Sequence, residues 1–436
     1  MLAGFARLDI TPPLGTPITG YYRARYAEGI LDPLELNAVA FSDGENTSLI
    51  IVADCLGINK DCSAYIRKNI ERELGVPADN VITSVTHSHT TFSLNVLPSA
   101  APNFASGGIF QGKQSREYLN VINRKFVDVA RLAIDDMKEA TISVGSAKTK
   151  DQVAFIRRYL MKDGTVKAFP SPLPNPDIVR PMSDPDNTLR LIRIDREGDK
   201  SIAIVNFQTH ADTTKGSLLS ADWPGHLRRF VEADLPMVNC ITVVGAQGDS
   251  NHVNPNVAGS QFSPEGSRRI GRVIADAVLD VWDKTTAVNT DKISSEVRTV
   301  FNKTRTDGIE RLEQAREYVK AYDAKLIPSD TQKRAEMGRI TRIPTAPLYQ
   351  QIPVTVMKLG DVVLVGFGGE PFTEYSNRAR AALPDKFTIS VMGANGFQGY
   401  LPTKQAFYDG GYEAGVSSFT PSLEEEIMNT VFEMLK

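Results

Sequence analysis

The sequence predicts an α/β or α+β fold, with mixed β-sheets and flanking helices, on three observations. Apolar runs at 49–53, 81–85, 201–207, 240–245 and 362–367 read as buried strands. Helical patterns near 60–74, 115–139, 225–235 and 264–282 are interleaved with them. The 436 residues are 42% apolar and 23% charged, ordinary globular values that allow a sizeable core.

Three segments share a strand, tight turn, strand layout: NAVAFSDGENTSLIIVAD (37–54), TLRLIRIDREGDKSIAIVNFQTH (188–210) and VTVMKLGDVVLVGFGGE (354–370). Each turn holds a glycine among polar residues, the hairpin signature, and each second strand is largely apolar and hence expected to be buried. Each second strand ends on a polar group: Asp54, His210 or Glu370. A buried strand running out into such a side chain places chemistry on a rigid support. The helix at 264–282 opens on Ser263 and Pro264 and carries Ile270, Val273, Ile274, Val278 and Trp282 at helical spacing, so it should pack on a sheet. The stretch 97–114, rich in Pro, Gly and small residues, and the proline-rich stretch 160–187 read as long loops. Charge-rich helical segments at 308–325 and 330–340 read as a solvated pair, a helical insertion at 308–341 within a single catalytic domain spanning 1–436. No repeat of fixed period covers the chain.

A net charge of −3 with both signs dispersed argues against a polyanion-binding surface, so nucleic acid is not an expected partner. No apolar run approaches the roughly 20 residues that a spanning helix needs, so no transmembrane segment is expected. The opening MLAGFARLDITPPLG carries Arg7 and Asp9 and no apolar signal region, which predicts a cytoplasmic location. Cys55, Cys62 and Cys240 are too isolated for a disulfide framework and read as buried small hydrophobes.

Histidine is scarce, with five in the chain. Four of them, His87, His89, His210 and His252, fall in the polar runs THSHT, NFQTH and GDSNH, and His226 is the fifth. An H-x-H pair after a strand, if extended, points both rings to one face, because side chains repeat every two residues. Such a pair can give two metal ligands, or one ligand and one polar catalyst; the alternative is a polar strand end. His210 is a further imidazole, and Glu370 follows two glycines that let the backbone approach a site closely. Two imidazoles and a carboxylate are a common zinc set that leaves a position for water. Read alone, Glu370 also suits the N-terminus of the helix in PFTEYSNRARAAL, where a carboxylate is favoured.

The order THSHT, NFQTHADTT, GAQGDSNHVNPN, GGEP and GYLPTKQAFYDGGYEAG resembles the zinc-dependent neutral and alkaline ceramidases, and ARLDITPP at 6–13 is similar to that family's opening. The resemblance runs from Ala6 to Glu413 and implies a ceramidase-like catalytic domain that holds Zn2+. It implies that His87, His210, Glu370 and Tyr400 bind the metal, and that His89, Arg157 and Tyr412 contact the substrate carbonyl or the oxyanion. Asp54, Asp249, Ser250 and His252 stand as supports behind them. Tyrosine is an uncommon zinc ligand, since its phenol has an ordinary pKa near 10 and needs the metal's charge to ionise easily.

The implied reaction is hydrolysis of a linear amide, an N-acyl amine, by metal-activated water. Departures bear on the substrate. Thr90, Thr91 and Phe92 follow the H-x-H in place of the family's glycine and proline, Ala211 replaces a glycine, and the sequence ends at Lys436, without the family's C-terminal immunoglobulin-like domain. Leu97, Phe104, Ile109 and Phe110 are the large apolar groups of the candidate lid at 97–114. These features predict a small-molecule amide smaller and more soluble than ceramide, with Arg157 or Arg158 reading a polar group on it; a lipid-like amide is the alternative. Two rival functions remain in the sequence: a serine hydrolase using Ser250 with His252 and Asp249, and a non-catalytic homologue that keeps the metal cage.

Overall fold

In the computed structural model, which describes residues 1–22, 24–95 and 113–436, the three hairpins open into two mixed sheets. The larger contains β1 (Leu2–Asp9), β2 (Glu35–Ser42), β3 (Thr47–Ala53), β4 (Val81–Val85), β5 (Lys138–Lys148), β6 (Thr188–Arg196), β7 (Ser201–Phe207) and β8 (Val238–Val244). Their order across the sheet is β8-β7-β6-β5-β1-β2-β3-β4, and the short strand Thr286–Ala287 pairs with β5. The smaller has β9 (Ile293–Lys303), β10 (Tyr349–Leu359), β11 (Val362–Phe367) and β12 (Phe387–Met392) in chain order.

Alternating side chains sort these strands into layers. On β3, Leu49, Ile51 and Ala53 face a core shared with helices α1 (Lys60–Leu74), α2 (Lys113–Asp135), α3 (Asp222–Asp234) and α4 (Pro264–Trp282), while Ile50 and Val52 face the smaller sheet. On β11, Val362 and Leu364 join that inter-sheet core, and Val363, Val365 and Phe367 turn to the helices after it, including Leu423–Leu435. The chain is therefore layered helix, sheet, sheet, helix. Its central strands are buried on both faces, which explains their unbroken apolar runs.

One unit recurs three times: a long strand, an antiparallel hairpin, a helix, and a strand parallel to the hairpin's second arm. It is β1-β2-β3-α1-β4, then β5-β6-β7-α3-β8, then β9-β10-β11-α7-β12 with α5 and α6 inserted between β9 and β10. Here α5 is Leu312–Asp323, α6 is Thr331–Arg342 and α7 is Thr373–Ala381. The units start at unequal intervals, at Leu2, Lys138 and Ile293, so no fixed sequence period exists. Each puts two parallel strands side by side, and ligand sites collect outside the carboxyl ends of such strands.

Two expectations change. The stretch 160–187 is not one loop: Arg158–Met161, Val166–Ala168 and Ile178–Pro181 form a small sheet, its first turn closed by Gly164 at φ 80°. The helix placed at 115–139 ends at Asp135, because β5 begins at Lys138. The candidate lid at 97–114 falls, through residue 112, outside the described residues. Among the described residues, no helix is long and apolar enough to cross a membrane.

Candidate metal centre

The first unit delivers His87 just beyond β4. The H-x-H run is not extended, contrary to the expectation from the sequence. Hydroxyl contacts, among them Ser88 Oγ to Ser220 O at 2.7 Å and Thr91 Oγ1 to Ser88 O at 2.7 Å, fold THSHTT into a tight loop, and His87 takes a left-handed φ of 61°. A non-glycine residue in that region is strained, and such strain gathers at functional sites. The rings of His87 and His89 still converge, with Nε2 atoms 3.3 Å apart.

The second unit delivers His210 after β7, and the third delivers Glu370 after β11. Glu370 and Pro371 pair in parallel with Tyr400 and Leu401, which brings the phenol to the same point. Close backbone approach is what the glycines supply here. A Cβ on Gly369 would lie 2.5 Å from Gly399 O, and one on Gly248 would lie 2.4 Å from Glu370 O.

The four side chains meet. Glu370 Oε2 lies 3.4 Å from His87 Nε2 and 3.1 Å from His210 Nε2, and Tyr400 OH lies 3.4 Å from His210 Nε2. His87 Nδ1 contacts Leu56 O at 2.6 Å, and His210 Nδ1 contacts Gln247 O at 3.0 Å and Ser250 O at 2.9 Å. Carbonyl oxygens accept only, so both Nδ1 atoms carry the proton, and both Nε2 lone pairs face the centre. The ligand atoms of His87, His89 and His210 also lie within 4.8 Å of one another, a group that could hold a metal ion. The donor set fits a borderline-soft divalent cation: imidazole nitrogens with a carboxylate, plus a phenol.

Electrostatics agree with that fit. Burial keeps the His210 and His89 imidazoles below their ordinary pKa, so both are neutral and able to bind metal near pH 7. Burial alone would raise the Glu370 carboxyl, and positive charge on the Nε2 side of His87 and His210, as a shared proton or a bound cation, pulls it below the usual carboxylate range. Burial raises the Tyr400 and Tyr412 phenols well above 10, so Tyr400 ionises only if a cation offsets the cost.

Arg157 Nη1 reaches to 3.2 Å from Tyr400 OH and 3.3 Å from His210 Nε2, while its Nε lies 2.8 Å from Glu413 Oε1. Arg158 turns away, donating to Glu413 Oε2 at 3.0 Å and Gly410 O at 2.9 Å. Of the two arginines, Arg157 faces the centre and Arg158 braces Glu413. Tyr412 packs edge-on to Tyr400, at 5.9 Å between ring centroids, and its OH lies 3.2 Å from Tyr22 OH.

The residues expected behind the site divide. Ser250 supports His210 through its carbonyl, and its Oγ donates to Gln208 O at 3.2 Å. Asp249 accepts from Thr373 and Ser183, and its carbonyl receives Arg157 N at 3.0 Å. Asp54 accepts Thr86 Oγ1 at 3.0 Å and pairs with buried Arg228, so it braces the neighbour of His87. His252 packs on Phe262, away from Ser250 Oγ. Ser250, His252 and Asp249 thus make no triad, which removes the serine alternative.

Several site residues escape sequence reasoning. Tyr21, Tyr22, Asp212 and Phe262 help line a cavity of about 280 Å³ in front of the centre, together with His89, Arg157, Tyr400 and Tyr412. Asp212 Oδ1 lies 3.8 Å from His89 Nδ1 and accepts the Tyr21 hydroxyl. Only the adjacency of Asp212 to His210 could have flagged it. The run GYYRARY carries no signal for chemistry.

Two solved structures share this architecture across nearly the whole chain. Neutral ceramidase from Pseudomonas aeruginosa matches with a TM-score of 0.74 at 16% identity, over 99% of this chain and 73% of its own. The fold is that of neutral ceramidase. A second structure, a ceramidase complexed with C2, matches with a TM-score of 0.72 at 16% identity, over 99% of this chain and 74% of its own. No protein-family model matches the sequence, and no curated relative does. The ceramidase fold emerges here from the three-dimensional likeness and from motif order, at an identity too low for ordinary sequence matching.

Proposed function

We propose that this chain is a zinc-dependent amidohydrolase that cleaves a linear N-acyl amide. The observation that carries the reading is the meeting of His87, His210, Glu370 and Tyr400 from separate strand ends, with both ligand imidazoles oriented by backbone carbonyls. The ceramidase fold supports it. A bound zinc ion would supply Lewis acidity, lowering the pKa of a water in the open position and polarising the amide carbonyl.

The chain's own groups do the rest. Arg157, locked by Glu413, presents Nη1 beside Tyr400 OH, where a carbonyl oxygen gaining negative charge would lie. Tyr412 stays a neutral phenol and offers its O–H to the same side of the cavity. His89 is neutral as well, with one N–H and one lone pair, so it can donate to the oxyanion or exchange a proton with water and the leaving amine. The burial of His210, Arg157 and Tyr400 strengthens the contacts made there.

Metal analysis and a chelator test decide the reading. Purified protein should carry about one zinc per chain, as a single site of this type would, and should hydrolyse short N-acyl amines. Chelation should abolish turnover and zinc should restore it. A metal-free protein that hydrolyses equally well, or a zinc-loaded one without amidase activity, would defeat the proposal.

A further inference from the structure

The cavity in front of the centre adjoins a wider cleft of about 830 Å³, and Tyr21, Tyr22, Lys215 and Thr331 line both. One wall of the cleft is the loop after His210. The other is the helical pair α5–α6 with its connecting turn. Charge in this cleft is unevenly satisfied. Asp323 is held by Arg334 Nε and Nη2, each at 3.0 Å. Asp212 accepts the Tyr21 hydroxyl. Arg25 spends both Nη groups on the carbonyls of Gly216, Thr19 and His89.

Two ammonium groups are left. Lys215, on the first wall, lies over the Phe262 ring at 3.1 Å from its centroid and has no carboxylate within 4.0 Å among the described residues. Lys325, on the second wall, sits at a left-handed φ of 59° in the turn after α5, likewise without an ion pair among the described residues. Of the charged groups that line the cleft, Arg25, Lys215 and Lys325 are cationic and Asp323 is already paired with Arg334, so positive charge is left over even with Asp212 drawing on Lys215; the cleft attracts an anion, and the nearest reactive point is the metal centre.

Resting on the amidohydrolase reading, we infer that the substrate is an amide bearing one anionic group, held by Lys215 and Lys325 in the outer cleft while the amide carbonyl lies at the metal centre. N-acyl amino acids are the simplest members of that class. The reaction is hydrolysis: water adds to the carbonyl carbon, the C–N bond breaks, and the amine leaves with a proton. The acid group takes no part and serves only as a handle. Each lysine to acid contact is exposed, so its effect falls with salt and appears mainly in KM.

The test compares N-hexanoylglycine with its uncharged isostere N-hexanoylglycinamide, and with N-hexanoyltaurine to separate carboxylate from sulfonate, on the zinc-loaded protein. At low ionic strength the anions should have kcat/KM about five- to tenfold above the glycinamide, an advantage that shrinks in high salt. In the double variant Lys215→Met, Lys325→Met that ratio should fall towards one, through KM. A preference for taurine over glycine keeps the anionic class and moves the handle to sulfonate. An equal or better rate on the glycinamide, or a preference that survives the double variant, overturns the inference while leaving amide hydrolysis standing. Cleavage of no amide at all by zinc-loaded protein overturns the hydrolase reading and this inference with it.

Discussion

The floor of the site and its mouth are built differently. His87, His210, Glu370 and Tyr400 are 3%, 1%, 3% and 9% exposed and come from strand ends whose positions the sheets dictate. Tyr21, at the mouth, is 38% exposed and belongs to a loop, and the opposite wall is the turn between two solvated helices. The floor holds its imidazoles through backbone carbonyls, which no side-chain substitution removes. The mouth is held by side chains, such as Tyr22 OH to Tyr412 OH at 3.2 Å and Arg334 over the Tyr22 ring at 4.8 Å. The donor set of the centre is thus tied to strand ends, while the lining of the mouth is left to segments that can change without disturbing the sheets.

Substitutions in the floor should give the largest effects. His87→Ala removes one of two imidazoles whose Nε2 faces Glu370, so the protein should lose metal on dialysis, and turnover should vanish with it. Elemental analysis beside a rate assay checks both. A variant that retains zinc at the wild-type ratio would remove His87 from the set that holds the ion and defeat this assignment.

A smaller effect is expected at His89, which touches both regions. Its Nε2 faces His87, its ring edge meets Tyr21, and Arg25 holds its carbonyl at 2.7 Å. His89→Ala should keep metal and lose on the order of 100- to 1000-fold in kcat, the usual cost of one donor to an oxyanion. If His89→Ala empties the site as fully as His87→Ala, the division between floor and mouth fails at this residue.

The same division governs what could be read from sequence. Buried strands announce themselves as apolar runs, and a polar side chain at the end of such a run stands out: His210 after SIAIVNF and Glu370 after VVLVGF are legible that way. The pairing of Tyr400 with Glu370 depends on strands 30 residues apart lying in register, which only motif order could hint at. The orientation of the H-x-H is not legible in the sequence, because the loop that gives His87 its left-handed φ is tied through Ser88 Oγ to Ser220 O, far along the chain. Asp54 shows the converse. It sits at a strand end like His210 and Glu370, yet its charge is consumed by Arg228 on α3. The mouth was least legible, since Tyr21, Tyr22 and Lys215 are ordinary surface residue types until the helical pair packs across from them.

His252 gives the mildest test, because it lies under the mouth rather than in the floor. Each floor imidazole, His87 and His210, has a carbonyl partner, whereas the His252 ring packs edge-on to Phe262, at 4.8 Å between centroids, and neither of its nitrogens finds a well-aligned hydrogen bond among the described residues. Burial lowers its pKa from 6.5 to about 3, with only partial relief from the Gln261 backbone. Above pH 6.5 the ring is neutral folded or unfolded, and it adds nothing to the pH dependence. As pH falls from 6.5 towards about 3, the unfolded chain takes up a proton that the folded chain refuses, so stability declines through that window. The slope from this group approaches about 1.4 kcal/mol per pH unit. Urea unfolding of wild type and His252→Asn at pH 7, 5 and 4, with chelator throughout so that metal release does not contribute, isolates it. The wild type should lose stability more steeply than the variant between pH 6 and 4. Parallel declines would assign the acid sensitivity to His89 and His210 in the site itself, and would show that the mouth's support is as well satisfied as the floor's.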